Sequence, residues 1–261
     1  MIFLTEVYLK EKNPERCIRL RRTLERAVGF SARAQTRRGG WGYVSAAESG
    51  DFDEGSATAV QLHALIVARN AGIPVPRTTL DRAKEYCRQS TVIAVPRPDQ
   101  AQVEAGMTYS LQSPSSHPRP PITIAALAAF HLANEGDSAL ALQWLNYTHA
   151  ELTRAELRGR PYDLTYWQFT QFYLAQVLYR LDEDGHARLR PDLAKLERDD
   201  RPTLLRWSRY RASLFNLVAS SQTPDGSWQS EGGIYLGPVY TTATYLIIFQ
   251  MDTGHLAFCR R

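Results

Sequence analysis

Apolar positions along this chain recur at three- and four-residue intervals, in two alternating styles. In the first style they occupy one side of a helix. Over about 15–35, Ile18, Leu20, Leu24, Ala27, Val28 and Ala34 are separated by arginines and glutamates, which predicts one buried and one wetted face. Segments around 78–90, 138–155 and 202–221 behave similarly. In the second style a segment is apolar nearly all round: 57–68, 122–133 and, more loosely, 168–181 and 240–249. A helix without a polar face has to be enclosed on every side. The alternation therefore predicts an all-α fold in two layers, enclosed helices inside and amphipathic ones outside, in about four pairs. Met1 to Leu9 reads as the last turns of a further buried helix. The expectation is a single domain over 1–261 that lacks an N-terminal portion.

Helix boundaries fit this reading. Ser56 or Asp53 can cap a helix start. Asn70-Ala71-Gly72 before Pro74 is a stop, and Pro120 and Pro121 suit a first helical turn. The β-branched clusters 91–95 and 240–248 are the strand candidates, and helix or loop is preferred for both. The proline- and serine-rich stretch 94–119 is expected to be the longest irregular segment.

One phrase occurs twice. Gln35-Thr36-Arg37-Arg38-Gly39-Gly40-Trp41 and Gln222-Thr223-Pro224-Asp225-Gly226-Ser227-Trp228 both read Q-x-x-x-G-x-W between helical segments. A repeated corner implies one supersecondary unit used more than once. Gln at the end of an outer helix can hydrogen-bond the start of the next. Gly permits a sharp turn, and Trp can lie over it. Gln35, Gly39, Trp41, Gln222, Gly226 and Trp228 are thus expected to fasten the fold.

Composition narrows the function classes. The formal charge is +4, from arginines scattered along helices near carboxylates. Arg16, Arg19, Arg22 and Arg26 line up at helical spacing and read as a solvated face, so no nucleic-acid partner is expected. Cys17, Cys87 and Cys259 are isolated, without the pairing of a zinc knuckle or disulfide framework. No stretch reaches the roughly 18 apolar residues of a membrane span. The opening residues lack the basic region of a signal peptide, which points to a cytoplasmic protein.

Arg26-Ala27, Phe30, Gln35, Gly39 and Trp41 resemble the repeat motif of squalene–hopene and other triterpene cyclases. The second copy keeps Gln222, Gly226 and Trp228, with Leu217 where an aromatic stands in the motif. A decayed third copy runs through Arg82-Ala83, Tyr86, Gln89 and Gly106 to Tyr109. Gly39-Gly40-Trp41-Gly42-Tyr43, Ser56-Ala57-Thr58 and Gly237 to Thr242 are similar to bacterial prenyltransferase/squalene-oxidase repeat proteins. The resemblance implies an α/α toroid, two concentric layers of helical hairpins around a central cavity. With about four pairs, the ring would be incomplete at its N-terminus or completed by self-association or a partner chain.

The resemblance also suggests chemistry. Protonating cyclases carry a D-x-D-D element whose middle aspartic acid donates a proton to an alkene or epoxide. Asp51-Phe52-Asp53-Glu54 lies in a similar place, with Glu54 for the final aspartate. Asp53 would be the acid, with Asp51 and Glu54 raising its pKa by like-charge repulsion. The alternative is that these carboxylates simply stabilise a helix N-terminus. If inner helices all start on one side, their starts gather Asp51, Asp53 and Glu54 with Tyr162, Asp163, Tyr166 and Trp167, then Tyr235, Tyr240 and Thr241, and Tyr109. Such an acidic, aromatic-lined mouth suits an apolar, isoprenoid-like ligand or a peptide. The D-x-C of zinc prenyltransferases and the C-G-E-Q of thioester relatives are missing, so no metal or cofactor is expected. Three readings stay open: a binding module, a class II terpene-cyclase-like isomerase or prenyl-group transferase, and a scaffold that completes its ring with a partner.

Overall fold

A computed structural model of the chain describes residues 1–48, 50–94, 104–113, 117–159, 164–196, 204–230 and 236–259. These residues are mostly helical. Packing divides the chain into two compact units, Met1–Tyr147 and Thr148–Arg261.

The first unit holds α1 (Ile2–Lys10), α2 (Pro14–Ala34), α3 (Gly55–Asn70), α4 (Arg77–Gln89), strands β1 (Thr91–Ile93) and β2 (Ala105–Met107), α5 (Pro120–Leu132) and the start of α6 (Ala139–Leu157). Asn13 caps α2 by accepting from the Arg16 N–H at 3.1 Å, with Pro14 in the first turn. α3 ends in a left-handed glycine, Gly72, and the Ile73 N–H reaches back to the Ala68 carbonyl at 3.0 Å while its side chain is buried. α3 touches α1, α2, α4 and α5, and among the described residues its packing along α5 is the most extensive between two elements. Alanines at 59, 64 and 68 on α3, and at 125, 126, 128 and 129 on α5, are buried and permit that close approach. Residues 57–68 and 122–133 are therefore enclosed helices, as their uniform apolarity implies.

The second unit continues from α6 through α7 (Trp167–Leu181), the short α8 (Gly185–Leu189) and α9 (Pro191–Leu196), α10 (Trp207–Ser220) and α11 (Pro238–Phe249), followed by 3₁₀ turns at Met251–Thr253 and Ala257–Cys259. α7 is largely buried against α10 and α11.

Three elements differ from the sequence reading. Residues 91–93 form a strand, paired antiparallel with 105–107 in the register Thr91↔Met107, Val92↔Gly106 and Ile93↔Ala105. The partner lies far along the chain, so local periodicity carries no trace of it. α11 is apolar all round yet leaves Val239 84% and Leu246 45% exposed. α1 buries Thr5 and Glu6 while Phe3 stands 75% exposed. Both helices have the composition of α3 without α3's full set of neighbours.

The duplicated corners have the same hydrogen-bond pattern. In the first, Gln35 Nε2 donates to the Gly39 carbonyl (2.8 Å), the Thr36 N–H to the Gly40 carbonyl (2.9 Å), and Trp41 Nε1 to the Ser31 carbonyl (2.8 Å). In the second, Gln222 Nε2 donates to Gly226 (2.9 Å), the Thr223 N–H to Ser227 (2.9 Å), and Trp228 Nε1 to Val218. Gly39 and Gly226 have φ of 91° and 83°, a region open to glycine at little cost. Each Trp backbone N–H then donates to a threonine hydroxyl on the following helix, Thr58 at 2.9 Å and Thr242 at 3.0 Å. The decayed copy keeps this last link: the Met107 N–H donates to Thr123 Oγ1 on α5 at 2.9 Å.

Candidate functional site

The first corner delivers the chain to the N-terminus of α3, and there the three acidic residues take three different positions. Glu54 forms an isolated antiparallel bridge with Trp41, its N–H donating to the Trp41 carbonyl at 2.9 Å. Its carboxylate caps α3, accepting from the N–H groups of Ser56 (2.9 Å) and Ala57 (2.7 Å) and from the Ser56 hydroxyl (2.6 Å). Asp51 has a φ of 68° and accepts the Arg37 N–H at 2.8 Å, while its carbonyl accepts Gln112 Nε2 at 2.6 Å.

Asp53 is fully buried. Oδ1 accepts from the Tyr86 hydroxyl (2.9 Å), the Ser110 hydroxyl (2.9 Å) and the Leu111 N–H (2.8 Å). One carboxylate thus ties the corner to α4 and to the segment after β2. Oδ2 has no hydrogen-bond donor; Arg38 Nη1 stands 3.6 Å from it. Burial, then the Asp53 charge and the hydrogen bond to it, push the Tyr86 phenol well above its ordinary pKa.

Tyr109 joins this cluster. Its carbonyl accepts the Gly55 N–H at 2.7 Å, and its hydroxyl lies 3.2 Å from that of Tyr43. Tyr43 is 72% exposed. Its phenol pKa is raised by the hydrogen bond to Tyr109, then by partial burial and the Glu54 charge. Sequence reasoning did not place Tyr43 in the site, although it sits two residues after the corner Trp.

The remaining candidates belong to the second unit. Tyr166 precedes α7 with a φ of 54° and is half exposed. Trp167 is buried and donates Nε1 to the Tyr245 hydroxyl at 2.9 Å, and Tyr245 in turn meets Trp228 edge-on at 5.8 Å. Tyr240 is 40% exposed near the start of α11, its pKa raised by burial, and Thr241 is buried. Tyr162, Asp163 and Tyr235 lie outside the described residues. Asp51, Asp53, Glu54 and Tyr109 are thus brought together, and Trp167 packs as a core residue.

One group had no sequence signal. His186 is buried, accepts the Leu205 N–H at Nδ1 (2.8 Å), and has no hydrogen-bond partner at Nε2. Burial, His149 at 5.0 Å between ring centroids, and Arg190 lower its pKa to about 3, against a smaller opposing effect of Asp192. Among the described residues no three His, Cys, Asp or Glu side chains converge as a metal ion requires. No helix among them is long and apolar enough to cross a membrane. Comparison with known proteins matches no family model, no curated protein and no solved structure.

Proposed function

We propose that the chain is a binding module of the α/α-toroid, squalene-cyclase-repeat kind, whose α3 mouth takes an apolar, isoprenoid-like ligand or a peptide. The recurrent corner supports the architecture. The observation that carries the function is the exposed Tyr43–Tyr109 pair. One phenol donates to the other across 3.2 Å, and the linked pair presents ring surface beside Glu54. Calorimetric titration with a prenyl alcohol and with an amphipathic peptide tests this. Tyr43→Ala and Tyr109→Ala should each weaken binding several-fold at unchanged melting temperature. Binding that survives both changes overturns the reading.

A second reading, a cyclase-like isomerase with Asp53 as acid, is favoured by one observation: buried Oδ2 is the Asp53 oxygen without a donor. Asp53→Asn would then abolish product from a polyprenyl substrate while the fold persists. Absence of any cyclised product from the wild type sinks it.

A further inference from the structure

α4 covers the first corner. Gln35 Nε2 donates a second hydrogen bond to the Thr79 carbonyl at 3.0 Å, and Arg82 Nη2 donates to the carbonyls of Thr36 (2.6 Å) and Arg37 (3.1 Å). The fit is close. A Cβ on Gly39 would stand 2.3 Å from the Arg82 carbonyl oxygen, and one on Gly40 would stand 2.6 Å from the Tyr86 ring. The contacting residues sit in Thr79-Leu80-Asp81-Arg82-Ala83-Lys84-Glu85-Tyr86.

α2 contains nearly the same phrase, Thr23-Leu24-Glu25-Arg26-Ala27-Val28-Gly29-Phe30. Leu24 is buried as Leu80 is, while Ala27 and Phe30 are less covered than Ala83 and Tyr86. The outward groups differ. Arg26 is exposed and makes no ion pair or hydrogen bond among the described residues, and Phe30 is 61% exposed. Arg26 lines a shallow concavity of about 870 Å³ with Arg19, Arg22 and Arg33, and with Glu25 as its one carboxylate. This is the covering face of α4 without a corner beneath it.

The second corner is the complement. Gln222 and Gly226 are exposed, and Gln222 Nε2 has its Gly226 bond but, among the described residues, no counterpart of the Thr79 bond. Among the described residues, a Cβ on Gly226 would meet nothing nearer than the Gln222 amide at 4.0 Å. The carbonyls equivalent to those that Arg82 binds belong to Thr223 and Pro224. Next to them Asp225 replaces Arg38, and hydrogen bonds from the Thr223 hydroxyl and then from Ser227 hold its pKa down to about 2. An anionic corner without an arginine matches a cationic face without a carbonyl partner.

We propose that this protein self-associates head to tail: the Arg26–Phe30 face of α2 in one copy docks on the Gln222–Trp228 corner of another, as α4 docks on the first corner. The contact is heterologous, so it builds open chains or closed rings rather than an isologous pair. It does not depend on what the α3 mouth binds.

Sedimentation velocity over a concentration series, with circular dichroism as a folding control, tests the proposal. The wild type should gain mass with concentration. Arg26→Glu and Asp225→Arg should each weaken association about tenfold or more. Arg38 occupies the equivalent position in the first corner, so the turn accepts arginine; Phe30→Asp is a second variant of the α2 face. Equimolar Arg26→Glu and Asp225→Arg chains should form a discrete heterodimer, because one intact face meets one intact corner. A wild type that stays monomeric, variants that associate like the wild type, or variants that fail to pair on mixing would each overturn it.

Discussion

The two Q-x-x-x-G-x-W corners share their internal bonds and differ in what lies over them. Gln35 and Gly39 are buried beneath α4, whereas Gln222 and Gly226 face solvent. The same seven-residue phrase is thus a core element in one unit and a surface element in the other. The local pattern specifies the turn, and the neighbouring helix determines how much free energy depends on it. The acidic cluster at the start of α3 belongs to the covered corner: Tyr86 of α4 reaches over Gly40 to bind Asp53.

The strongest test of what the corners share is Trp41→Ala against Trp228→Ala. Both rings are buried, so each loss should cost about 3–5 kcal/mol in denaturant unfolding; a negligible cost at either would break the equivalence. The glycines probe the difference. Gly39→Ala combines an unfavourable φ with a clash against the Arg82 backbone and should cost about 2–4 kcal/mol. Gly226→Ala meets no neighbour and should cost only the conformational strain, about 1–2 kcal/mol. Equal effects would mean that the cover on the first corner is energetically irrelevant.

Gln35→Ala leaves the buried Gly39 and Thr79 carbonyls each without one donor, and a loss of about 1–3 kcal/mol is expected. Gln222→Ala, solvated, should stay within about 0.5 kcal/mol. Hydrogen exchange at the Trp41 and Trp228 amides reads each corner separately.

Acid sharpens the contrast between the units. His186 has its folded pKa depressed to about 3, so the unfolded chain binds the extra proton first. Its stabilising effect is complete above the unfolded value near 6.5 and is lost as pH falls from there towards 3. The slope is at most about 1.4 kcal/mol per pH unit. His186→Gln should flatten that slope, and an unchanged profile would show that another group sets it.

Much of this architecture was readable in advance, for identifiable reasons. The spans of α2, α3, α4, α5 and α7 lie within about two residues of their periodic segments, because one helix face or a whole circumference repeats at 3.6 residues. The turn glycine and the covering Trp41 were readable because a repeated phrase between helices has little else to do, but Gln35 bonds the Gly39 carbonyl of its own turn and Thr79 of α4 rather than the expected start of the next helix. Asp51, Asp53 and Glu54 were placed at the α3 start correctly, but not their division into a turn anchor, a buried tie and a cap. That division needs Arg37, Ser110 and Leu111, which are distant in sequence or supply only backbone groups. Tyr43 escaped notice because its significance is Tyr109, sixty-six positions away.

The amino-acid order by itself determined the helices, their ends and the bond pattern of each corner, since these arise among residues a few positions apart. Tertiary packing alone decided that Thr91–Ile93 is a strand, that α11 is half bare, and that one corner is covered and its twin open. Those outcomes depend on which surface arrives from elsewhere in the chain, and a residue's local pattern does not encode its distant neighbour.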